Sequence, residues 1–463
     1  MTIQFQLGKA VSHGPGLRTY IGQLDGTANF SRPSIMPRGT DRKVAVVNEL
    51  MRVNRNSLAA SAPSLDALKA AGLVVNYEVN PLSNTVIIDV PEARAGEAWT
   101  ALNKVEGMGT IVRNREVKLV GLENAAQGAA AVQPPKTNEE KIEWNVAKVN
   151  APAVWAQGFT GQGVTVGIID TGVDFQHPAL KDKYRGAKAD GTVDNNYNWF
   201  DAVGGRTAPY DDNRHGTHVT GTVMGATADG YHTGMAPGAK FIASKILSGS
   251  GSGTLEGVTK GLEWMLAPRD SSGQNPDPTK APDIVSNSWG TTNGRLEAFR
   301  NIAKAFLAAG IEPVFAAGNS GPGAGTVGAP GSYPEVISVA ATDKDDNVAN
   351  FSSRGPSPIK GADGSDKKPD VAAPGKDIMS SIPGGGYASF SGTSMATPAV
   401  SGVIALMLSK HKDMTHDEVV AALTTSAVDL GTKGYDYNFG HGRIDAAAAL
   451  AAADRIVAAR KPA

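Results

Sequence analysis

From Val164 onward the chain alternates short apolar runs with segments of helical period, and this alternation constrains the fold more than any other feature. Val164–Ile169, Lys240–Leu247, Ile284–Asn287, Glu312–Ala316 and Val336–Ala340 have the length and composition of buried strands. Thr254–Leu266 and Leu296–Ala309 carry helical periodicity between them. Strands that alternate with helices this way form a parallel sheet covered by helices, an α/β fold. Functional groups in such folds collect at the carboxyl ends of the strands. Asp170 stands at the end of the first strand and Asn319 just past the fourth.

The 463 residues exceed one ordinary domain. Residues 1–123 read as a separate small domain. Leu17–Leu24 is a strand, Asp41–Ala60 a helix, and Ser64–Ala71 a second short helix ending at Gly72. Leu73–Val79 and Thr85–Val90 pair through the turn Asn80–Asn84. Pro91 opens a helix that runs to Val105, and Thr110–Val120 is the last strand. The order β-α-β-β-α-β is that of the ferredoxin-like α+β unit. Residues 124–140 form a linker whose first part, Asn124–Thr137, is rich in Ala, Gln, Gly and Pro. Exposed segments of small residues are where chains are nicked. Residues 141–463 hold the α/β domain.

Composition removes several functions. With 41% hydrophobic and 19% charged residues the chain can build a large core. A formal net charge of −1 with no basic block gives no electrostatic footprint for nucleic acid. No cysteine is present, so disulfides, thiol catalysis and thiolate metal sites are excluded. A membrane-spanning helix needs about 18 or more consecutive apolar residues. The longest apolar run, Ala446–Ala453, is far shorter and mostly alanine. Met1–Gly16 lacks the basic start and apolar core of a secretory signal.

Three distant stretches then supply an acid, a base and a nucleophile. They are Gly167-Ile168-Ile169-Asp170-Thr171-Gly172, His215-Gly216-Thr217-His218-Val219 and Gly392-Thr393-Ser394-Met395-Ala396-Thr397-Pro398. Taken singly, each has a plain structural reading: a turn aspartate, a packed histidine, a helix cap. Taken together they match what a serine needs for attack, a base within reach and an acid to orient that base. Ser394 would attack, His215 would carry the proton and Asp170 would hold the imidazole. Gly392 allows close backbone approach before Ser394, which opens a helix over Met395–Leu408 with Pro398 in its first turn. His218 follows His215 by three residues without the Glu of a zinc-protease pair, so it reads as structural.

The motifs, in the chain order Asp, His, Ser, resemble the subtilisin-like serine proteases (subtilases) from about Trp144 to Ala449; that order is subtilisin's own. Asn198–Val203, Pro209–Asp212 and Ala281–Gly290 resemble the bacillopeptidase F branch of that family. The resemblance implies a serine endopeptidase acting on proteins and peptides with no cofactor in its chemistry. It also implies that residues 1–123 are a propeptide, a chaperone and inhibitor partner for the catalytic domain, removed by cleavage in the linker. Asn319 and the Ser394 N–H would form the oxyanion hole. Gly251, Ser252 and Gly253 would form one wall of the substrate cleft, Ser288, Trp289 and Gly290 the other, and Gly328 the floor of the pocket. Ser320 offers no acid for a basic side chain. Asp211, Asp212 and the run Asp343–Asp346 are candidate oxygen ligands for structural calcium. Location outside the cell is expected, although this sequence carries no signal peptide. A non-catalytic binding module on the same fold and an intracellular processing protease are the alternatives.

Overall fold

The computed structural model describes residues 3–10, 12–120, 131–133 and 141–460. The N-terminal domain contains β1 (Ile3–Ala10), β2 (Leu17–Leu24), α1 (Ser31–Ser34), α2 (Thr40–Ala70), β3 (Asn76–Asn80), β4 (Thr85–Pro91), α3 (Ala95–Leu102), β5 (Met108–Arg113) and β6 (Arg115–Val120). Its antiparallel sheet has the order β3-β4-β2-β5, the ferredoxin-like arrangement expected. Period-two alternation divides the buried residues of this sheet. Tyr20, Leu24, Val86, Ile88 and Val90 join Leu65, Ala98 and Leu102 in the domain's own core. Ile21 and Ile87, on the other face, pack into the core of the C-terminal domain.

Four local expectations are corrected. The two helices 41–60 and 64–71 are one helix, α2, that continues through Pro63. Val46, Val47, Leu50, Val53 and Leu65 stay buried on both sides of the proline, and that burial outweighs one missing backbone bond. The strand expected at Leu73 starts at Asn76, because the Leu73 and Val74 N–H groups cap α2 at Leu68 O. The helix after Pro91 begins as a 3₁₀ turn, Glu92–Arg94, before α3. The last strand breaks at Asn114: β5 stays in the domain sheet and β6 leaves it. The strand β1 had no counterpart in the sequence reading. The linker expectation falls outside the described residues except at 131–133, where Val132 bridges Tyr387.

The C-terminal domain continues with α4 (Trp144–Lys148), α5 (Ala151–Trp155), β7 (Thr165–Asp170), β8 (Trp199–Asp201), α6 (His215–Met224), β9 (Lys240–Lys245), β10 (Ser252–Thr254), α7 (Leu255–Leu266), β11 (Ile284–Asn287), β12 (Trp289–Thr291), α8 (Arg300–Ala308), β13 (Glu312–Ala316), β14 (Ile337–Thr342), β15 (Val371–Pro374), β16 (Ile378–Ile382), β17 (Gly386–Phe390), α9 (Thr393–Lys410), α10 (His416–Ser426) and α11 (Ala446–Ala458). Seven strands form a parallel sheet in the order β15-β14-β13-β11-β7-β9-β8. Its inner strands are buried on both faces, which is why they show no alternation of apolar and exposed polar residues. Thr254 caps α7, its side chain accepting from the Gly257 N–H at 2.9 Å. The helix expected over 296–309 shortens to α8. The domain α/β architecture is as expected, with its parallel sheet flanked by helices.

Buried cations tie the two domains together. Arg38 pairs with Glu312, which also meets His416 Nδ1 at 2.7 Å. Burial works to raise the Glu312 pKa, but His416 and Arg38 outweigh it and hold the group down at about 2. Arg42 donates to the Ala308 and Leu307 carbonyls, at 2.6 and 3.1 Å, and so caps the C-terminus of α8. Lys43 donates to Ala281 O at 2.9 Å.

Candidate active site

Asp170 ends β7 and His215 begins α6, so the sheet delivers one and the following helix the other. His215 Nδ1 lies 2.7 Å from Asp170 Oδ1, and both side chains are buried. The Thr171 N–H donates to the same Asp170 oxygen at 2.7 Å. Asp211 fastens the two segments together. One of its oxygens accepts from the Thr171 hydroxyl and the Asn213 and Arg214 N–H groups; the other accepts from the N–H and hydroxyl of Thr217. Burial pushes the Asp211 carboxyl up against these hydrogen bonds. Arg214 takes the left-handed conformation, φ 106°, to turn the chain into α6. Gly216 is required by contact: a Cβ there would sit 1.9 Å from Gly172 O. His218 Nε2 bonds to the Ile378 and Ala388 carbonyls at 3.1 and 3.0 Å, and its ring stacks on Phe390. Burial lowers its pKa to about 3, so it is a neutral packing residue.

Ser394 lies in the first turn of α9, which packs against α6. The helix starts at Thr393, so Pro398 is its sixth residue, beyond the first turn expected for it. The Ser394 hydroxyl was expected on His215; it donates instead to Ser288 O at 2.9 Å. His215 Nε2 has no hydrogen bond to a described residue. Catalytic hydrogen bonds are often long or unformed without substrate, so Ser394 remains a candidate nucleophile. Asn319 follows β13 and is anchored to the residue before Ser394. Its Oδ1 accepts from the Thr393 N–H at 3.1 Å and hydroxyl at 3.2 Å.

The stretches expected to form the two walls lie in and beside the short strands β10 and β12. β10, containing Ser252 and Gly253, pairs antiparallel with β6, Gly253 opposite Val117. Gly251 turns the chain into β10 with φ 72°. β12 pairs parallel with β1, Gly290 opposite Gln4. The order β10-β6-β1-β12 places two strands of the N-terminal domain between β10 and β12. For Trp289 the expected side-chain part in a wall is corrected: its ring is fully buried, edge-on to Phe299 and Phe315, and is a core aromatic. Gly328 is wedged against β12, where a Cβ would lie 1.9 Å from Thr291 O. Ser288 supplies a side-chain contact that sequence reasoning missed. Its hydroxyl donates to Ser394 O at 2.8 Å.

Four of the acidic residues considered for calcium make contacts within the protein. Asp211 is saturated as described, and Asp212 pairs with Lys245 at 2.6 Å. Asp343 accepts from the Asp345 and Asn347 N–H groups, and Asp346 meets Lys148 and Arg443. Among the described residues no cluster of three or more such side chains could hold a metal ion. Among them, too, no helix is long and apolar enough to cross a membrane.

Residues 161–442 match the Subtilase family model (Peptidase_S8), which is more than half of the chain. The chain belongs to the subtilase family. These are the subtilisin-like serine peptidases, as the three motifs implied. Bacillopeptidase F of Bacillus subtilis (strain 168) is 44% identical over 323 residues, covering 67% of this chain and 22% of that protein. Subtilisin E of the same organism is 34% identical over 313 residues, covering 67% of this chain and 71% of its own. Serine protease AprX, also from that strain, is 39% identical over 292 residues, covering 57% of this chain and 61% of its own. The chain thus spans about a fifth of the length of bacillopeptidase F.

Proposed function

We propose that the chain is a serine endopeptidase hydrolysing peptide bonds of proteins, made as a zymogen and acting outside the cell. The buried Asp170–His215 pair beside the Ser394-headed helix carries this reading. Ser394 Oγ adds to the carbonyl carbon as its proton passes to His215 Nε2, and Asp170 stabilises the imidazolium. The carbonyl π electrons move onto oxygen, where the Asn319 amide and the Ser394 N–H meet the charge. Collapse of the adduct breaks the C–N bond, and His215 gives its proton to the departing amine. Water, deprotonated by His215, then releases the acyl group and restores Ser394. No cofactor enters these steps.

β6, lying antiparallel on β10, takes the pose of a substrate strand, so the N-terminal domain is read as the inhibitor of its own catalytic domain. The intact mass of the purified chain tests the whole reading. A fragment ending between Asn124 and Thr137 should be lost with time, and a serine-directed fluorophosphonate should label Ser394. A chain that takes no label and stays whole would be a binding module.

Cleavage should follow apolar or aromatic residues, since Ser320 brings no carboxylate to the pocket. A peptide-library profile dominated by Lys or Arg would contradict this.

Release of the N-terminal domain should quicken as pH rises. His13 bridges Asp89 and Glu256, at 2.8 Å each, across the domain boundary. Lys260 pairs with Glu256 and with Glu78, and Asn114 donates to Glu256. Burial opposes charge on His13, but hydrogen bonds to Glu256 and Asp89 outweigh it and raise the pKa. A raised pKa means that the docking contribution is complete below the ordinary value of about 6.5 and is lost as pH climbs through the raised one. The check is dissociation of the N-terminal domain from a Ser394→Ala chain cut in the linker by an added protease. A rate flat between about pH 6 and 9, or an unaltered pH dependence in His13→Ala, would refute the link.

A further inference from the structure

We propose that the Ser288 side chain is a positioning residue for the nucleophile, compensating a backbone defect that Pro398 creates in α9. The inference rests on the reading of Ser394 as nucleophile. In an α-helix the N–H of residue 398 would donate to the carbonyl of residue 394. Pro398 has no N–H, so Ser394 O loses its helical partner at a fully buried place. A buried carbonyl without a donor is costly. The Ser288 hydroxyl fills the role at 2.8 Å. In return the Ser394 hydroxyl donates to Ser288 O at 2.9 Å. The two serines therefore clasp each other through both main chain and side chain, 106 residues apart.

A second rung fixes the same pair of elements. Ser401 Oγ lies 3.0 Å from Ser286 Oγ on β11. With that rung in place, α9 keeps its seat on the sheet when Ser288 is altered, and the local change is confined to its first turns. Those turns carry Ser394 and, through Thr393, the Asn319 carboxamide. The proline has a consequence for attack. A normal helical bond would pull the Ser394 carbonyl along the helix axis toward residue 398. The Ser288 hydroxyl pulls it sideways instead, toward the wall that carries β12. The seat of the nucleophile is thus set from the cleft and not from the helix.

Ser288→Ala keeps the main chain of the wall and removes only the donor. It should lower kcat by about tenfold or more, since misplacing a reacting group by a fraction of an ångström carries penalties of this size. KM should stay within about twofold, because the wall carbonyls are retained. The deciding measurement is a double-mutant cycle with Pro398→Ala, which restores an N–H to Ser394 O. In the Pro398→Ala background, Ser288→Ala should cost less than about threefold in kcat, whatever Pro398→Ala does by itself. Thermal melts of the four proteins keep misfolding out of the comparison. A kcat within twofold of the parent in Ser288→Ala, or an equal loss in both backgrounds, would overturn the proposal. Ser394→Ala run alongside separates the two questions. If that variant keeps its activity, the reading of Ser394 fails; if it is inactive while Ser288→Ala is unimpaired, only the positioning role fails.

Discussion

Ser394→Ala is expected to lower kcat for peptide hydrolysis by on the order of 10⁶, and to leave the purified chain uncut between Asn124 and Thr137. The figure is the scale measured for the nucleophile of subtilisin itself and is borrowed rather than derived. The structural argument for so large a loss is that the other histidine of the motif, His218, cannot take over: it is fully buried, with its Nε2 engaged by the Ile378 and Ala388 carbonyls. The variant should nonetheless fold, because the side chain removed makes one hydrogen bond, to Ser288 O, and the carbonyl of residue 394 keeps its own bond from the Ser288 hydroxyl. The oxyanion donors also remain, so a small residual rate above that of water is expected. Turnover of a chromogenic peptide and intact mass followed over days check both halves. Complete self-processing by this variant, with contaminating protease excluded, would remove Ser394 from the mechanism.

What could be read from the sequence follows from how local each signal is. β11 and β13 fall at the limits expected because each carries a short apolar stretch, Ile284–Val285 and Val314–Ala316, although the buried polar residues Ser286, Asn287 and Glu312 also lie inside these strands. Asp170 and Asn319 could be placed at strand ends for the same reason. The break at Asn114 could not be read. It depends on Asn114 donating to Glu256, 142 residues away, and on its N–H donating to Thr19 O. Pro63 misled because its local cost is visible in the sequence, whereas the burial of Leu65 beyond it is not. Trp289 sits in Ser-Trp-Gly, and nothing in those three letters says that the ring faces Phe299 and Phe315 rather than the cleft. The role of Ser288 did leave a trace. A proline four residues after Ser394 implies an unpaired carbonyl there, and asking what satisfies it leads to a donor from another strand. Asp211, four residues before His215, left a weaker one: an acid that near the base is either part of the chemistry or, as here, a fastening for the backbone around it.

Asn319→Ala should reduce kcat by about 10²–10³ and leave KM nearly unchanged, again on the scale known for this donor in subtilisin itself and borrowed rather than derived. Geometry explains why one amide has so much influence. Oδ1 of Asn319 is held by the Thr393 N–H and hydroxyl, so the oxygen side of the carboxamide is fixed and its NH2 group is turned to the opposite side. Thr393 directly precedes Ser394, and its hydroxyl also accepts from the Gly318 N–H at 3.3 Å. The carboxamide is therefore tied, through a few short bonds, to the segment that carries Ser394. A donor fixed in advance needs no reorganisation when charge appears on the carbonyl oxygen, and this is the moment at which it lowers the barrier. The ground-state carbonyl carries less charge and gains less from the same contact, so substrate affinity should hardly respond. Steady-state kcat and KM on one peptide, compared with the parent, distinguish the possibilities. An unchanged kcat would take Asn319 out of the oxyanion site, and a raised KM at constant kcat would make it an ordinary binding contact.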